Sequence, residues 1–328
     1  MKAVTRSRYG GPGELEIAEV AAPTPEADEV LLHVEAVSVN AGDWHLLRGS
    51  PLFIRLLYGG LLRPNTAILG MDVAGRVAEV GTDVTRLDLE DRVFGALPDG
   101  VLGGFAEQAK APADTLVPIP AGVSVEAAAA VPTTGMSALQ ALRDDGALSA
   151  GDDVLIHGAS GGVGSFAVQL ARAMGATVTG VCSGAKVDLV ESLGADRVVD
   201  YQSTDVTAEG RRYDLIVDTA AAHSLRAYRR ILKPGGRYVM VGGPAGRFVK
   251  TATLGPLLSW LGSRTYGTFA MTPDVGDLTV LAEHLADGTV VPALDRIFTL
   301  AETADAIRYF EDGRARGKVV VTPGVPEE

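Results

Sequence analysis

The order of apolar and polar residues divides this 328-residue chain into two textures. Through about residue 120, Val alternates with polar residues between turns rich in Gly and Pro, most clearly at 30–37 and 73–81. Side chains of a strand point alternately to its two faces, so this alternation predicts short, half-buried antiparallel strands. The first part of the chain is therefore predicted to be a mostly β, barrel-like or sandwich unit.

From about Ser124 the pattern changes to short apolar runs that alternate with helical segments. The apolar runs are 153–157, 177–181, 197–200, 215–217 and 238–241. A strand that is buried on both faces gives such a nearly continuous run, which is typical of a parallel sheet covered by helices. The pattern predicts a doubly wound parallel α/β domain with right-handed crossovers.

The end of the chain changes texture again. From about Val290, a strand-like segment leads to a predicted helix over 301–310 and a final strand over 318–321. We expect this tail to return to the first unit. The predicted domains are 1–123, 124–285 and the returning segment 286–328.

Composition narrows the classes of function. The 29 Lys and Arg residues against 41 Asp and Glu residues give a net charge of −12. This charge argues against binding of nucleic acid or of an anionic membrane, because both need a basic surface. The single cysteine, Cys182, allows neither an internal disulfide nor a Cys-rich zinc cluster.

The chain carries no targeting signal that the sequence makes visible. No signal-peptide pattern is present, and no apolar run approaches the roughly 18 residues of a membrane span. We therefore expect a cytoplasmic protein without stable membrane insertion. Two shorter apolar segments, 52–62 and 254–261, are expected to be a pocket wall, a subunit contact or a surface that lies on a membrane.

A glycine-rich turn, GASGGVG at 158–164, follows the first predicted strand of the α/β domain. Gly161 lets the backbone approach a pyrophosphate, and Gly164 lets the following helix pack close to the strand. Free N–H groups at the start of that helix face the phosphates. Strand, turn and helix thus come in the order of a dinucleotide-binding unit. The predicted cofactor-binding residues of the turn are Ser160, Gly161, Gly162, Val163 and Gly164.

The segment after the second strand bears on which dinucleotide is bound. NAD-binding proteins usually place Asp or Glu about 20 residues after the turn, where it holds the ribose 2′-hydroxyl. Here no carboxylate occurs over 178–186. The hydroxyl of Ser183 and the ammonium of Lys186 suit a 2′-phosphate instead, which predicts NADP(H). The alternative is that Lys186 is a solvated residue in the first turn of a helix.

Several short motifs occur in an order and spacing shared by a known family. They are VNAGDW at 39–44, LGMDVAG at 69–75, GGFAE at 103–107, the 158–164 turn, LGAD at 193–196 with Tyr201, and KVVV at 318–321. Over essentially its whole length, the chain resembles the medium-chain dehydrogenase/reductase superfamily and, within it, the zinc-independent quinone oxidoreductases. The resemblance implies a GroES-like catalytic domain split around a Rossmann NADP-binding domain, a cofactor cleft between them, and a homodimer formed through the Rossmann sheet edge.

The chain departs from the zinc alcohol dehydrogenases of the same superfamily. Those enzymes hold a catalytic zinc with Cys, His and a second Cys, whereas this chain has Asn40, Met71 and Ala130 at the corresponding places. None of these side chains is a good zinc ligand. Without a Lewis acid, hydride transfer suits an acceptor that is already polarised by conjugation, such as a quinone or an enone.

The resemblance also implies roles for individual residues. Asn40 matches an asparagine near the nicotinamide, and Asp43 matches an aspartate with a catalytic or a structural role. His45 stands where some quinone reductases have a tyrosine, and its imidazole is either a proton donor to the acceptor or a partly exposed side chain without a role. Trp44, Phe53, Tyr58, Trp260 and Phe269 are expected either to line an apolar acceptor pocket or to pack in the core.

Four further positions are expected beside the cofactor. Thr134 matches a position next to the nicotinamide, with a helix N-cap as its alternative role. Tyr201 matches a tyrosine near the adenosine phosphate of NADP-using relatives. Gly242 and Gly243 follow the strand at 238–241, where backbone is expected close to the cofactor.

The leading functional prediction is an NADPH-dependent reductase of quinones or α,β-unsaturated carbonyl compounds. A zinc-free carbonyl reductase or alcohol dehydrogenase that uses water or His45 in place of the metal is the alternative among enzymes. A non-catalytic NADPH-binding sensor or partner protein is the alternative from another class.

Overall fold

The computed structural model of the protein describes residues 1–56, 60–98 and 102–324. Its elements in chain order are β1 (Lys2–Thr5), β2 (Glu16–Glu19), β3 (Glu29–Ser38), α1 (Ala41–Arg48), α2 (Leu52–Ile54), β4 (Asp72–Val80), β5 (Arg92–Ala96), β6 (Gln108–Pro112), β7 (Leu116–Pro118), α3 (Val125–Ala129), α4 (Pro132–Gln140), β8 (Asp153–His157), α5 (Gly162–Ala173), β9 (Thr177–Cys182), α6 (Val187–Ser192), β10 (Arg197–Asp200), β11 (Tyr213–Asp218), α7 (Leu225–Ile231), β12 (Leu232–Met240), α8 (Ala245–Trp260), β13 (Thr265–Thr268), α9 (Val275–Ala286), β14 (Leu294–Thr299), α10 (Thr303–Glu311) and β15 (Lys318–Thr322).

Unit 1, which comprises Met1–Thr133 and Pro273–Glu328, is built on a mostly antiparallel sheet. Its strand order is β14-β15-β3-β4-β5-β7, and β6 also pairs with β3. The alternating segments at 30–37 and 73–81 form β3 and β4, which pair antiparallel as predicted. The final strand β15 pairs with β3, so the tail belongs to the sheet of this unit.

Strand β3 is more deeply buried than its alternating sequence predicts. Only His33 and Glu35 in it are partly exposed. Helix α3 packs on β3, β4 and β5, and a hydrophobic core built around residues such as Val34, Val73 and Phe105 lies in the same unit. The strand is covered on both sides because neighbouring elements of the unit close over the face that alternation alone assigns to solvent.

Unit 2, Thr134–Thr272, contains the predicted doubly wound domain. Its six strands are all parallel and lie in the order β10-β9-β8-β11-β12-β13. Numbered from β8, this is the 3-2-1-4-5-6 order of a dinucleotide-binding fold. The fold class predicted from the sequence is confirmed.

Two elements of unit 2 differ from the sequence pattern. Strand β12 begins at Leu232, directly after α7, whereas the apolar run that predicts this strand begins only at residue 238. Helix α8 runs through Gly255 and Pro256, which interrupt the apolar segment 254–261. Gly255 lies against the backbone of β13, where an added Cβ would stand 2.7 Å from the Tyr266 carbonyl oxygen. Close packing of the helix on the strand therefore accounts for this glycine.

The boundaries between the units differ from the predicted 123/124 and 285/286. They lie at Thr133/Thr134 and at Thr272/Pro273. Helix α3 packs on strands of unit 1, and α9 packs on β7 of the same unit. The change from alternating to Ala-rich sequence marks where helices begin. It does not mark the boundary of the unit, because α3 and α9 pack on strands of unit 1 and therefore belong to it.

The helices and the two short apolar segments bear on whether the chain contacts a membrane. Within the described ranges, none of the helices combines the length and the apolar character needed to cross a bilayer. The two short apolar segments do expose large side chains. These are Leu52, Phe53, Leu56, Leu61 and Leu62 in the first, and Leu254, Leu257, Trp260 and Leu261 in the second.

The turn between β8 and α5 makes Gly164→Ala a stability test with an internal control. A Cβ at Gly164 would lie 2.1 Å from the Gly158 carbonyl oxygen and 2.8 Å from Ala159 Cα, both backbone atoms. We expect a loss of about 1–3 kcal/mol of unfolding free energy, measured by urea denaturation, because the backbone must shift.

The matched control is Gly161→Ala in the same turn. There an added Cβ would meet only the Gly158 carbonyl oxygen, at 3.4 Å, and the backbone is extended. We expect a change of less than about 1 kcal/mol. Equal destabilisation by both substitutions would show that the turn is not held by the close approach at Gly164.

Candidate functional site

The glycine turn of unit 2 has the geometry of a phosphate cradle. Gly158 has a φ of +84° and directly follows β8, and its N–H donates to the Val181 carbonyl at 3.0 Å. Gly161 is the N-cap of α5, and residues 161–163 are partly exposed. The first amides of a helix have no acceptor within it, so the amides of Gly162 and Val163 are suited to an anion. Ser160, which is buried, completes the turn.

Other predicted cofactor residues lie at the same edge of the sheet. Ser183 follows β9, Tyr201 follows β10, and Gly242 and Gly243 follow β12. These strands are parallel to β8, so their carboxyl ends share one edge with the glycine turn. The structure therefore brings Ser183, Tyr201 and the two glycines to the edge where a dinucleotide binds in such folds.

The segment predicted to meet a 2′-phosphate is half open to solvent. Ser183 and Lys186 are partly exposed, and Lys186 ends a short 3₁₀ turn, Gly184–Lys186, before α6. The Tyr201 N–H donates to the Cys182 carbonyl at 3.1 Å, while its side chain is exposed. Cys182 itself is buried, and burial raises the pKa of its thiol to about 11, as expected of a small core residue.

The sheet supplies a carboxylate that the sequence analysis missed. Asp200 ends β10 and is the register partner of Cys182 in β9. Its Oδ2 would lie 2.8 Å from a Cβ added at Gly184. A carboxylate therefore does stand against the 183–186 turn, although none occurs along β9 itself. The strand order, which only the structure gives, is the signal that would have revealed it.

A buried polar network at this edge was also not anticipated. His157 Nδ1 and the Tyr228 hydroxyl are 2.8 Å apart, and the Tyr238 hydroxyl donates to Asp218 Oδ2 at 2.8 Å. Asp218 Oδ1 accepts the N–H groups of Ala220 and Ala221. Burial lowers the pKa of His157 and raises that of both tyrosines, so the ring and the phenols stay neutral. The network fixes the turn after β11.

Thr134 lies within α4, at the third residue of that helix. It is buried and engaged in contacts of its own. Its position inside the helix argues against the N-cap alternative. A role beside the nicotinamide stays a prediction.

In unit 1, the predicted catalytic Asn40 lies in a buried polar cluster. Its Nδ2 donates to Asp72 Oδ2 at 2.9 Å and to the Ser38 carbonyl at 3.3 Å. Its Oδ1 accepts from Lys318 Nζ at 2.6 Å. Asn40 is 3% exposed, and these contacts use both ends of the amide. The amide is therefore fixed in one orientation.

Asp43 is fully buried. Among the described residues, its carboxylate accepts hydrogen bonds from backbone N–H groups alone. One carboxylate oxygen accepts the Asn40 N–H and the other accepts the Gly70 N–H, each at 3.0 Å. The first of these bonds caps the start of α1. Burial raises the pKa of Asp43 to about 7, and the neighbouring Asp72 adds to the rise. Its geometry favours the structural role among the two that the resemblance allows.

Asp72 and Lys318 complete this cluster, and no role was predicted for either. Asp72 accepts from the Thr133 hydroxyl at 2.6 Å and from the Thr133 N–H, as well as from Asn40. Burial raises the pKa of Asp72, while Lys318 opposes the rise. Lys318 is 2% exposed, and burial lowers the pKa of its ammonium to about 8. The available signal was a charged residue within each of two apolar motifs, Asp72 in the middle of LGMDVAG and Lys318 at the start of KVVV.

His45, the third predicted catalytic residue, lies on α1 and is partly exposed. Its Nδ1 lies 2.9 Å from the Ser50 carbonyl oxygen, and its ring contacts that of Trp44 at an interplanar angle of 47°, with centroids 4.3 Å apart. A carbonyl oxygen only accepts hydrogen bonds, so Nδ1 carries a proton. Nε2 of the neutral ring is then an acceptor and becomes a donor only when the imidazole is protonated.

The five aromatic residues predicted for an acceptor pocket have different surroundings. In unit 1, Trp44 packs on the core with a buried indole N–H that has no partner among the described residues, and Phe53 is exposed. In unit 2, Phe269 is buried and Trp260 is 81% exposed. Tyr58 lies outside the described residues. Exposure of Trp260 and Phe53 argues against simple core packing for these two.

The residues around Asn40 do not fit a zinc ion. The Met71 thioether packs against Gly42, where an added Cβ would lie 2.4 Å from its sulfur, and Ala130 is buried. Across residues 1–56, 60–98 and 102–324, no three His, Cys, Asp or Glu side chains converge as a metal site. The polar cluster instead balances charge with an ammonium.

Two family models match segments of this chain. Residues 26–121 match the family described as alcohol dehydrogenase GroES-like domain, and residues 193–321 match the family described as zinc-binding dehydrogenase. The chain is 32% identical to a chloroplast envelope quinone oxidoreductase homolog of Arabidopsis thaliana, with 98% of each covered. It is 34% identical to a trans-enoyl reductase of Aspergillus terreus, with 92% of this chain and 89% of that protein covered.

A solved structure gives the same result for the fold. The quinone oxidoreductase from Coxiella burnetii superposes with a TM-score of 0.86 at 28% identity, with 99% of each chain covered.

The buried cluster of unit 1 generates a stability prediction for Lys318→Met. Removing the ammonium leaves Asp72 and Asp43 without the cation that opposes the rise of their pKa values. We expect a loss of about 3–5 kcal/mol near neutral pH, because one member of a buried charged cluster is left uncompensated. Chemical denaturation of the full chain measures this loss.

The electrostatic explanation also predicts the direction in which the stability loss of Lys318→Met changes with pH. Both carboxyl pKa values are raised in the folded protein, and more so in the variant, so the folded state binds protons that the unfolded state has released. The deficit of Lys318→Met should therefore be larger at about pH 8 than at about pH 5. The double variant Lys318→Met/Asp72→Asn should recover part of it at about pH 8. A deficit independent of pH would contradict the electrostatic explanation.

Proposed function

Because this chain belongs to the medium-chain dehydrogenase/reductase superfamily, in its zinc-independent quinone oxidoreductase-like branch, we propose that it transfers hydride from NADPH to a quinone or an α,β-unsaturated carbonyl compound. Relatives named as quinone oxidoreductases and trans-enoyl reductases make it an NAD(P)H-dependent oxidoreductase. The choice of NADPH and of the acceptor is our proposal.

The observation that carries the choice of acceptor is the environment of Asn40. An amide held between a buried ammonium and a carboxylate occupies the place of a zinc ligand in the alcohol dehydrogenases. These residues offer no Lewis acid site to polarise an isolated carbonyl. A quinone or an enone needs less polarisation, because conjugation already spreads the charge that hydride addition creates.

The chain's own residues would hold the cofactor at the carboxyl edge of the parallel sheet. The amides of Gly162 and Val163 face the pyrophosphate, and Gly161 leaves room for it. Ser183, Lys186 and Tyr201 are assigned to the 2′-phosphate. The bound dinucleotide supplies the hydride, while the protein contributes position and electrostatics.

Asn40 and Asp43 act in this proposal as positioning residues. Both make internal hydrogen bonds with each end of the side chain, so they order the loop before α1 and the segment around Gly70. His45 is assigned to the acceptor oxygen. Since its Nδ1 proton is directed to Ser50, it donates from Nε2 only as the imidazolium.

The proposed assembly follows the family resemblance, whereas the proposed location follows the composition of the chain. The proposed homodimer forms at an edge of the parallel sheet, where β13 pairs with β12 on one side. The net charge of −12 supports a small-molecule substrate over nucleic acid, and the single cysteine supports a cytoplasmic location.

The acceptor proposal is tested by following NADPH oxidation with purified protein under anaerobic conditions. Phenanthrenequinone and a small enone represent conjugated acceptors, and a saturated ketone of similar size is the matched control. We expect turnover with at least one conjugated acceptor at a rate well above that with the saturated ketone. Turnover with saturated ketones or simple alcohols alone, or tight NADPH binding without any turnover, would overturn the proposal.

The cofactor proposal is tested with Lys186→Ala. Asp200 stands close to the same turn and favours a ribose hydroxyl over a 2′-phosphate, so preference for NADPH depends on the Lys186 charge. We expect the dissociation constant for NADPH to rise about tenfold and that for NADH to stay within about twofold, because one charge-assisted hydrogen bond is lost. Fluorescence titration measures both constants.

The matched control is Lys250→Ala, which removes an exposed ammonium from α8. It should leave both dissociation constants unchanged. Equal affinity of the unaltered protein for NADPH and NADH, with no effect of Lys186→Ala on either, would contradict the assignment.

A further inference from the structure

Five arginines line one open pocket in unit 2. They are Arg212, Arg226, Arg229, Arg230 and Arg264, and the pocket that they line, which is open to solvent, has a volume of about 370 Å³. No carboxylate is among the described residues that line it. In a chain with a net charge of −12, this is a strong local concentration of positive charge.

The pocket lies away from the proposed cofactor site. Arg212 immediately precedes β11, Arg264 immediately precedes β13, and Arg229 and Arg230 lie in the last turn of α7, which leads directly into β12. These positions mark the amino ends of parallel strands. The glycine turn lies at the carboxyl ends, so the pocket is at the opposite edge of the same sheet.

The pocket arginines lack internal counterions. Among the described residues, Arg212, Arg226, Arg229 and Arg230 take part in no ion pair and no side-chain hydrogen bond. The carboxylates of this region are already engaged. Asp153 pairs with Arg211 and Lys233, and Asp214 pairs with Lys233. Pairing within the fold therefore leaves the pocket charge uncompensated.

One arginine of the pocket is fixed in advance of any ligand. Nε and Nη2 of Arg264 both donate to the Leu232 carbonyl, each at 3.0 Å. Its remaining N–H groups are left to bind elsewhere. A guanidinium held in this way loses less entropy when it binds an anion.

A buried hydroxyl near the cluster also lacks a partner. Tyr266 is 4% exposed, and its hydroxyl has no hydrogen-bond partner among the described residues. Burial raises the pKa of the Tyr266 hydroxyl, while the positive charges of Arg264 and Arg229 lower it. The phenol therefore lies within electrostatic range of two pocket arginines and is a donor without an acceptor.

We propose that this pocket is an anion-binding site for a small molecule that carries two or more phosphate groups. Arg212, Arg226, Arg229 and Arg230 are exposed and Arg264 is partly exposed, so water screens much of their mutual repulsion. A ligand with several negative charges lowers the repulsion that remains more than a singly charged ligand does. One guanidinium group can donate two parallel N–H hydrogen bonds to two oxygens of the same phosphate, because its planar fork of donors matches the spacing of those oxygens. The cavity volume is near the lower end of the range for small-molecule sites, which suits a compact ligand.

The proposed anion site does not depend on the proposed redox function, because the arginine pocket shares no residue with the glycine turn at 158–164 or with the Asn40 cluster. A ligand here would therefore bind with the cofactor site filled. The proposal concerns the phosphate chemistry that is common to free pyrophosphate and to the diphosphate of a nucleotide, and the test separates these sources.

The test is isothermal titration calorimetry of the full-length protein saturated with NADPH, with inorganic pyrophosphate as the probe at constant ionic strength. We expect saturable binding of one pyrophosphate per chain. The double variant Arg229→Gln/Arg230→Gln should weaken it about tenfold or more, since charge-assisted hydrogen bonds are lost. Adenosine 5′-diphosphate in a parallel titration shows whether the pocket also accepts a nucleotide source.

The matched control is Lys250→Gln/Arg308→Gln, which removes two positive charges outside the pocket. It should leave the affinity within about twofold, because neither residue lines the pocket. Circular dichroism confirms that both double variants are folded. Equal weakening in the control, or binding of polyglutamate without binding of pyrophosphate, would overturn the proposal, the latter in favour of an acidic protein partner.

Discussion

The buried ammonium of Lys318 is the interaction on which the polar interior of unit 1 depends. It enters on the last strand of the chain and bonds Asn40, which in turn bonds Asp72. Asp72 then holds Thr133 at the start of α4. Segments separated by most of the sequence are thereby joined through one charge, and the ammonium limits the cost of burying two carboxylates beside it.

This arrangement explains why the chain keeps a polar cluster where hydrophobic residues would pack more simply. Each member is satisfied by the others, so orientation is fixed along with charge. The amide of Asn40 cannot turn without breaking bonds to Lys318 or Asp72. In the proposed reaction such rigidity would serve to position a flat acceptor, because small displacements reduce hydride transfer steeply.

The two edges of the parallel sheet separate two different tasks for anions. At the carboxyl edge, backbone amides of a glycine turn approach phosphate closely with little side-chain charge. At the amino edge, five arginine side chains supply charge without a backbone cradle. Phosphate binding at the carboxyl edge thus depends on backbone geometry, whereas anion binding at the amino edge depends on side-chain charge. The arginine pocket cannot be predicted from the order of strands and helices along the sequence.

The sequence alone determined the parts of this protein that depend on local order. Apolar runs, the 158–164 turn and its following helix predicted a Rossmann sheet, and the motifs predicted the family, because spacing along a strand or helix is a local property. The tertiary structure decided what depends on strand order. Asp200 reaches the 183–186 turn from a neighbouring strand, and Lys318 reaches Asn40 from the far end of the chain. The arginine pocket likewise gathers residues from α7 and from the positions directly before β11 and β13, since pairing between strands, not distance in sequence, sets which side chains meet.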